Sequence, residues 1–206
     1  MHDRASEIQV WDPFVRIAHW TITLGFFVAY LTEDATTVHV WAGYVVGGLV
    51  AARVVWGFVG PRHARFSDFI TGPTAAISYF WDLIRGRAKR YVGHSPAGGA
   101  MVLALLAFLL ATVATGLVRY AEEKGAGPLA SLYAQTTSIA VSQASEQEGN
   151  QAGEGRARSA VGEAHDVLAN VTFALVVFHI LGVLLASFVH HENLARAMVT
   201  GRKRLG

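Results

Sequence analysis

Four apolar runs, each long enough to cross a lipid bilayer, constrain this chain more than any other feature. They are Phe14–Leu31, Val38–Val59, Ala97–Val118 and Val167–Val189. Crossing the hydrocarbon takes about 20 residues of apolar helix, because a helix satisfies its own backbone hydrogen bonds there. Composition agrees. Of 206 residues, 52% are hydrophobic and 16% charged, whereas ordinary soluble domains carry about 25% charged residues. Buried helices of a soluble domain are the plainer alternative, and runs of this length argue against it. The first run holds a histidine, ends in bulky residues and lacks a small-residue cleavage site, so it reads as a retained helix rather than a cleaved signal. The expected fold is all-α, an integral membrane four-helix bundle spanning residues 1–206 as a single domain.

Charge placement orients the helices. The segment Gly60–Pro96 carries Arg62, Arg65, Arg85, Arg87, Lys89 and Arg90 against Asp68 and Asp82, and the tail adds Arg196, Arg202, Lys203 and Arg204. The short first connection holds Glu33 and Asp34. The long segment Ala121–Ala164 sets Glu122, Glu123, Glu146, Glu148, Glu154 and Glu163 against Lys124, Arg156 and Arg158. Lys and Arg concentrate in cytoplasmic loops, so both termini and the middle loop are expected inside and the two acidic connections outside. No nucleic-acid partner is expected; the partner surface is lipid.

Two loops have a character of their own. Ile77, Phe80, Trp81 and Ile84 recur at helical spacing after Gly72-Pro73, with Arg85 and Arg87 following, which predicts an amphipathic helix lying in the membrane interface. The stretch Ser142–Arg158 is rich in Gln, Glu, Gly and Ser and almost devoid of large apolar residues. It is expected to be a flexible linker, with a partner-docking segment as the alternative.

Histidines interrupt the apolar runs. An ionisable residue inside a membrane span is costly and marks function by default. His19 lies near the inner end of the first helix, His39 at the outer end of the second, His165 at the outer end of the fourth, and His179 fourteen residues further along it. Fourteen helical residues cover about 21 Å and close to a whole number of turns, so His165 and His179 share one face at two depths. Helix one runs outward while helices two and four run inward. His19 is then level with His179 in the inner half, and His39 with His165 in the outer half. Two pairs of imidazoles at two depths suit two six-coordinate haem irons. A zinc site would gather its ligands around one ion, and a proton relay would add buried carboxylates. The chain has no cysteine, which excludes thioether-linked haem and Cys-ligated clusters.

Other residues fit this picture in either of two ways. Gly43 and Gly47 follow His39 on its own face, where they would admit a flat macrocycle or a neighbouring helix. Arg16 and Arg53 fall toward the inner end, as partners for haem propionates or as membrane anchors. His63, His94, His190 and His191 lie at the inner ends or in the inner loop and read as interfacial or structural.

The segments VWDPFVRIAHW (Val10–Trp20), HVWAGYVVGGLVAARVVWGFVGP (His39–Pro61), GHSPAGG (Gly93–Gly99) and HDVLANVTFALVVFH (His165–His179) resemble the bacterial cytochrome b561 and hydrogenase-type cytochrome b family. The resemblance covers all four helices and leaves the insertion Ala121–Ala164 without a clear counterpart in shorter members. It implies haem ligands at His19, His39, His165 and His179, paired as depth pairs them, with the histidine-free third helix as a pocket wall. It implies two b-type haems in the bacterial inner membrane, no catalytic side chain, and electron transfer between the quinone pool and an outer redox protein. The ending HHENLARAMVTGRKR (His190–Arg204) resembles a subgroup associated with small multihaem c-type cytochromes, so a periplasmic c-type cytochrome is the expected partner. Hydrogenase-type members often close the first helix with Thr-Gly, where this chain reads Tyr30-Leu31-Thr32-Glu33, which points away from a hydrogenase. A quinone-reducing anchor of a hydrogenase- or dehydrogenase-like complex is the second expectation, and a superoxide-oxidising enzyme of the same fold the third. A non-redox transporter or structural bundle is the alternative of another class.

Overall fold

The structure, a computed structural model, describes residues 7–33, 36–132, 134–135 and 151–204; of residues 36 and 151–159 it describes only the backbone. Four long helices carry the apolar runs: α1 (Pro13–Leu31), α2 (Thr36–Val59), α5 (Pro96–Lys124) and α6 (Gln151–Val189). All four are long and apolar enough to cross a membrane. Between α2 and α5 come a 3₁₀ turn (Arg62–Ala64), the short α3 (Phe66–Phe69) and α4 (Pro73–Ile84). After α6 come α7 (Leu194–Thr200) and the strand β2 (Arg202–Arg204), which pairs with β1 (Glu7–Gln9).

Helix starts are fixed by local chemistry. The Asp12 carboxylate accepts from the Val15 amide at 3.1 Å and Pro13 occupies the first turn, where its missing N–H costs nothing. Ser95 accepts from the Gly98 amide at 3.1 Å just ahead of α5, and Asn193 accepts from the Arg196 amide at 2.7 Å to start α7. Gly201 ends α7 at φ 79°, and a Cβ there would stand 2.7 Å from the Trp11 carbonyl oxygen, so a side chain is excluded.

Two expected spans are longer than their apolar runs. α5 continues past Val118 to Lys124, and α6 begins at Gln151 rather than near Val167. An apolar run marks only the part of a helix that meets hydrocarbon; the ladder continues wherever good helix formers follow, because propagation is cheap once a nucleus exists. An Arg119–Glu123 pair at 2.8 Å lies along the extension of α5. Residues 151–158, expected as linker, are therefore the first turns of α6. The rest of that expected linker, 142–150, lies outside the described residues.

The chain divides into two compact units, Met1–Ala107 with Phe173–Gly206, and Phe108–Thr172. In the first, α1 packs on α2, and the approach is close at Gly25, where a Cβ would stand 2.8 Å from Val46 Cγ2. A compact apolar cluster of Val10, Trp11, Val15 and Ala64 gathers below, with Ile8, Phe14, Trp56, Val92 and Met198 against it. Ile77, Phe80, Trp81 and Ile84 are exposed along α4 while Tyr79 and Leu83 are buried, the two-faced helix its spacing predicts. Leu24, Phe58, Phe178, Leu184 and Phe188 are exposed along the long helices, as lipid-facing residues are. In the second unit, Thr172 is fully buried; its hydroxyl bonds to the Leu168 carbonyl at 2.7 Å and meets that of Thr112 at 3.2 Å.

Candidate haem ligands and the family of the chain

His19 stands on the second turn of α1, set by the cap at Asp12, and His179 stands near the middle of the membrane part of α6. Their rings face each other with centroids 6.2 Å apart and planes at 58°. That spacing decides what fits between them. An imidazole nitrogen binds a metal at about 2 Å, with its ring centre about 1.1 Å behind, so two rings on opposite sides of one iron stand about 6.3 Å apart. A direct hydrogen bond between the rings would bring them closer. His19 Nδ1 is buried without a hydrogen-bond partner, and Trp20 lies edge-on to its ring at 5.1 Å.

His39 stands on the first turn of α2, with Nδ1 2.9 Å from the Ala29 carbonyl of α1. A carbonyl only accepts, so Nδ1 carries the proton and Nε2 keeps the lone pair a metal needs. Gly43, one turn further on the same face, has open space where a Cβ would be. Gly47 follows one turn later, partly buried.

His165 is prepared in the same way in the second unit. Its Nδ1 lies 3.0 Å from the Thr112 carbonyl and 3.2 Å from the Thr115 hydroxyl. The Thr115 hydroxyl in turn donates back along α5, with the Ala111 carbonyl 2.9 Å away. A Cβ at Gly116 would meet His165 Cε1 at 2.9 Å. The third membrane helix, expected as a histidine-free pocket wall, thus orients the candidate ligand His165 through Thr112, Thr115 and Gly116. Their sequence signal is a small polar stripe at helical spacing on an otherwise apolar helix.

The two arginines sit differently. Arg16 donates to the Val199 carbonyl and leaves Nε buried without a partner. Arg53 is 6% exposed; its Nη2 donates to the Ala64 carbonyl at 3.1 Å and its Nη1 has no partner. Among the inner histidines, His63 Nδ1 meets Asp68 at 3.0 Å and His190 Nε2 meets the Tyr79 hydroxyl at 3.1 Å. Burial, with Arg90 nearby, lowers the His190 pKa. His94 is the exception to a wet interfacial reading: its Nδ1 is buried and unpartnered, and burial, followed by the Arg53 charge, takes its pKa down to about 3.

Known proteins point the same way. A probable Ni/Fe-hydrogenase B-type cytochrome subunit of Azotobacter chroococcum is 27% identical over 157 residues, covering 60% of this chain and 64% of that one. The subunits so described in Azotobacter vinelandii and Rhodobacter capsulatus are 26% and 25% identical, each over 156 residues, 63% and 59% of their own lengths. The chain thus matches somewhat under two thirds of the length of these relatives. No solved structure matches it. The family model described as prokaryotic cytochrome b561 matches residues 10–201. The chain therefore belongs to the prokaryotic cytochrome b561 family, and its four long apolar helices make it a multi-pass membrane protein.

Proposed function

We propose that the chain conducts electrons across the bacterial inner membrane through two b-type haems, between the quinone pool and a redox protein on the periplasmic face. The observation that carries the reading is the 6.2 Å spacing of His19 and His179, room for one iron between two imidazoles. His19 and His179 hold the inner haem. His39 and His165, each with its Nδ1 tied to a carbonyl of a neighbouring helix, hold the outer one. Arg16, one turn before His19, supplies a cation for a propionate, and Gly43 leaves room for the macrocycle edge. Bound haem supplies reversible one-electron chemistry; the chain supplies ligands, fixes their tautomers and excludes water. The loop between α2 and α5 and the carboxyl-terminal tail face the cytoplasm, since they carry the excess of Lys and Arg, and two crossings, α1 and α2, put the amino terminus on the same side as that loop.

The partner proposed is a periplasmic c-type cytochrome. A second reading, a quinone-linked subunit of a hydrogenase-like complex, is favoured by the similarity to probable Ni/Fe-hydrogenase B-type cytochrome subunits. The chain purified from haem-replete cells should contain two haems, extractable by acid acetone and reducible by duroquinol. One haem per chain, or haem retained after extraction, overturns the bis-histidine pairs; no reduction by quinol overturns the quinone link. Reduction of a purified c-type cytochrome by the quinol-reduced protein, against hydrogen-dependent reduction in membranes, separates the two partners.

A further inference from the structure

Besides Arg16 Nε and His19 Nδ1, the first unit buries two further polar atoms with nothing to bond: Arg53 Nη1 and His94 Nδ1. An unpaired buried polar atom costs about 1–3 kcal/mol, and more when it is charged. Arg53 and His94 come from different elements, α2 and the turn before α5, yet share one aromatic surround. The Arg53 guanidinium carbon lies 5.6 Å from the centre of the Phe66 ring, and Phe66 meets Phe69 at 5.8 Å. Phe69 lies 4.3 Å from the His94 ring, and Trp11 closes on His94 edge-on at 4.6 Å. Arg53 is close enough to His94 to oppose its protonation, so the imidazole is neutral at physiological pH. The pair therefore offers one charged donor and one neutral ring nitrogen, which accepts or donates according to its tautomer.

That combination selects a ligand chemistry. A carboxylate or phosphate is served best by two cations, and His94 is not one. A flat ring bearing oxygens that gain and lose protons is served by both groups. The guanidinium donates to either form of its oxygen, and the imidazole accepts from a hydroxyl or donates to a carbonyl. The ring itself packs on aromatic faces. The same stretch of α2 exposes Val55, Phe58 and Val59, an apolar flank along which an isoprenoid tail can stay in lipid.

We propose that Arg53 Nη1 and His94 Nδ1 hold the head group of a quinone or quinol, with Trp11, Phe66 and Phe69 around its ring. This rests on the quinone reading above, and it assigns Arg53 to the head group rather than to a haem propionate.

The test uses the haem-loaded full-length chain in phosphatidylcholine nanodiscs, with ubiquinone-1 as the probe and quenching of tryptophan fluorescence as the binding signal. His94→Leu and Arg53→Gln should each weaken binding about tenfold, the worth of one good hydrogen bond, while both haems and their spectra stay unchanged. Binding within twofold of wild type in His94→Leu overturns the site. So does haem loss in Arg53→Gln with quinone affinity unchanged, since Arg53 would then be holding the cofactor. Should Arg53→Gln fail to accumulate, His94→Leu and His94→Asn decide alone. Wild-type protein that neither binds ubiquinone-1 nor is reduced by quinol removes the quinone reading itself and this site with it. Wild-type protein that binds, beside variants that bind equally well, removes only the site.

Discussion

His94 shows how much one imidazole depends on what surrounds it. Its ring is enclosed by Trp11 and Phe69, with Arg53 and Lys203 opposing its protonation and Asp68 favouring it, and the balance sets a pKa of about 3 against an ordinary 6.5. An unfolded chain takes up a proton on this histidine near pH 6.5, and the folded chain does so only near pH 3. Stability contributed here is fully present above pH 6.5 and declines as pH falls through the interval toward 3. By pH 4.5, two units below the unfolded pKa, the loss amounts to about 3 kcal/mol. The thermal midpoint of the haem-loaded protein, followed from pH 7.5 to 4.5, should therefore fall more steeply for wild type than for His94→Gln. Parallel profiles would mean that His94 stays protonated, or stays wet, in the folded chain. The same enclosure explains why the residue looked ordinary in sequence. Gly93-His94-Ser95-Pro96 reads as a polar turn before a helix, and nothing local announces that Trp11, more than eighty positions earlier, covers it.

At the scale of elements, period and charge made the helices legible and long-range contacts did not. α4 lies where Ile77, Phe80, Trp81 and Ile84 place it, and the four membrane helices begin or end close to their apolar runs. The extra turns of α5 and α6 escaped because hydropathy reports contact with lipid, whereas helix continuity is decided by propensity. The role of α5 escaped because Thr112, Thr115 and Gly116 acquire meaning only beside His165. The pairing of β1 with β2, in the register Glu7 to Arg204, was also illegible, since strands of three residues leave no periodic signal. That small sheet forms part of a clasp. Glu192 accepts from Arg90 at 3.0 Å and lies 3.9 Å from Lys203, whose side chain is 5% exposed and whose ammonium also reaches the Tyr91 carbonyl at 3.4 Å. Burial lowers the Lys203 pKa and Glu192 holds it up. Glu192→Ala leaves the buried Lys203 and the half-buried Arg90 facing each other and should cost about 3 kcal/mol of unfolding stability. Glu192→Gln, which keeps one of the two acceptor oxygens that Arg90 uses, should cost less. Equal stability of all three forms would show the clasp to be open in solution.

On the scale of the whole molecule, the proposed function divides the labour between two haems, held by four histidines on three helices. The inner pair proposed here rests on direct juxtaposition, with the His19 and His179 rings 6.2 Å apart. The outer pair proposed here rests on the direction of the helices, and on two histidines prepared alike by a carbonyl at Nδ1. Single substitutions test both pairs at once. His19→Ala and His179→Ala should remove the same spectral component and leave about one haem per chain. His39→Ala and His165→Ala should remove the other. Gly116→Val should join the second class without touching a ligand, since its side chain would displace the His165 ring already in contact. Haem count by pyridine haemochrome and the low-temperature α-band of the reduced protein distinguish the two sites without any partner or substrate. With the quinone on the inner side, the variants that keep the inner haem should still be reduced by quinol yet fail to pass electrons to an outer acceptor. The variants that lose it should not be reduced at all. Loss of one and the same component in His19→Ala and His39→Ala would mean that the pairs were drawn across the wrong helices. Retention of both haems with an unchanged spectrum in any of the four would remove that histidine from the iron, leaving His94 and His190, which flank α5 and α6, to be tried in its place.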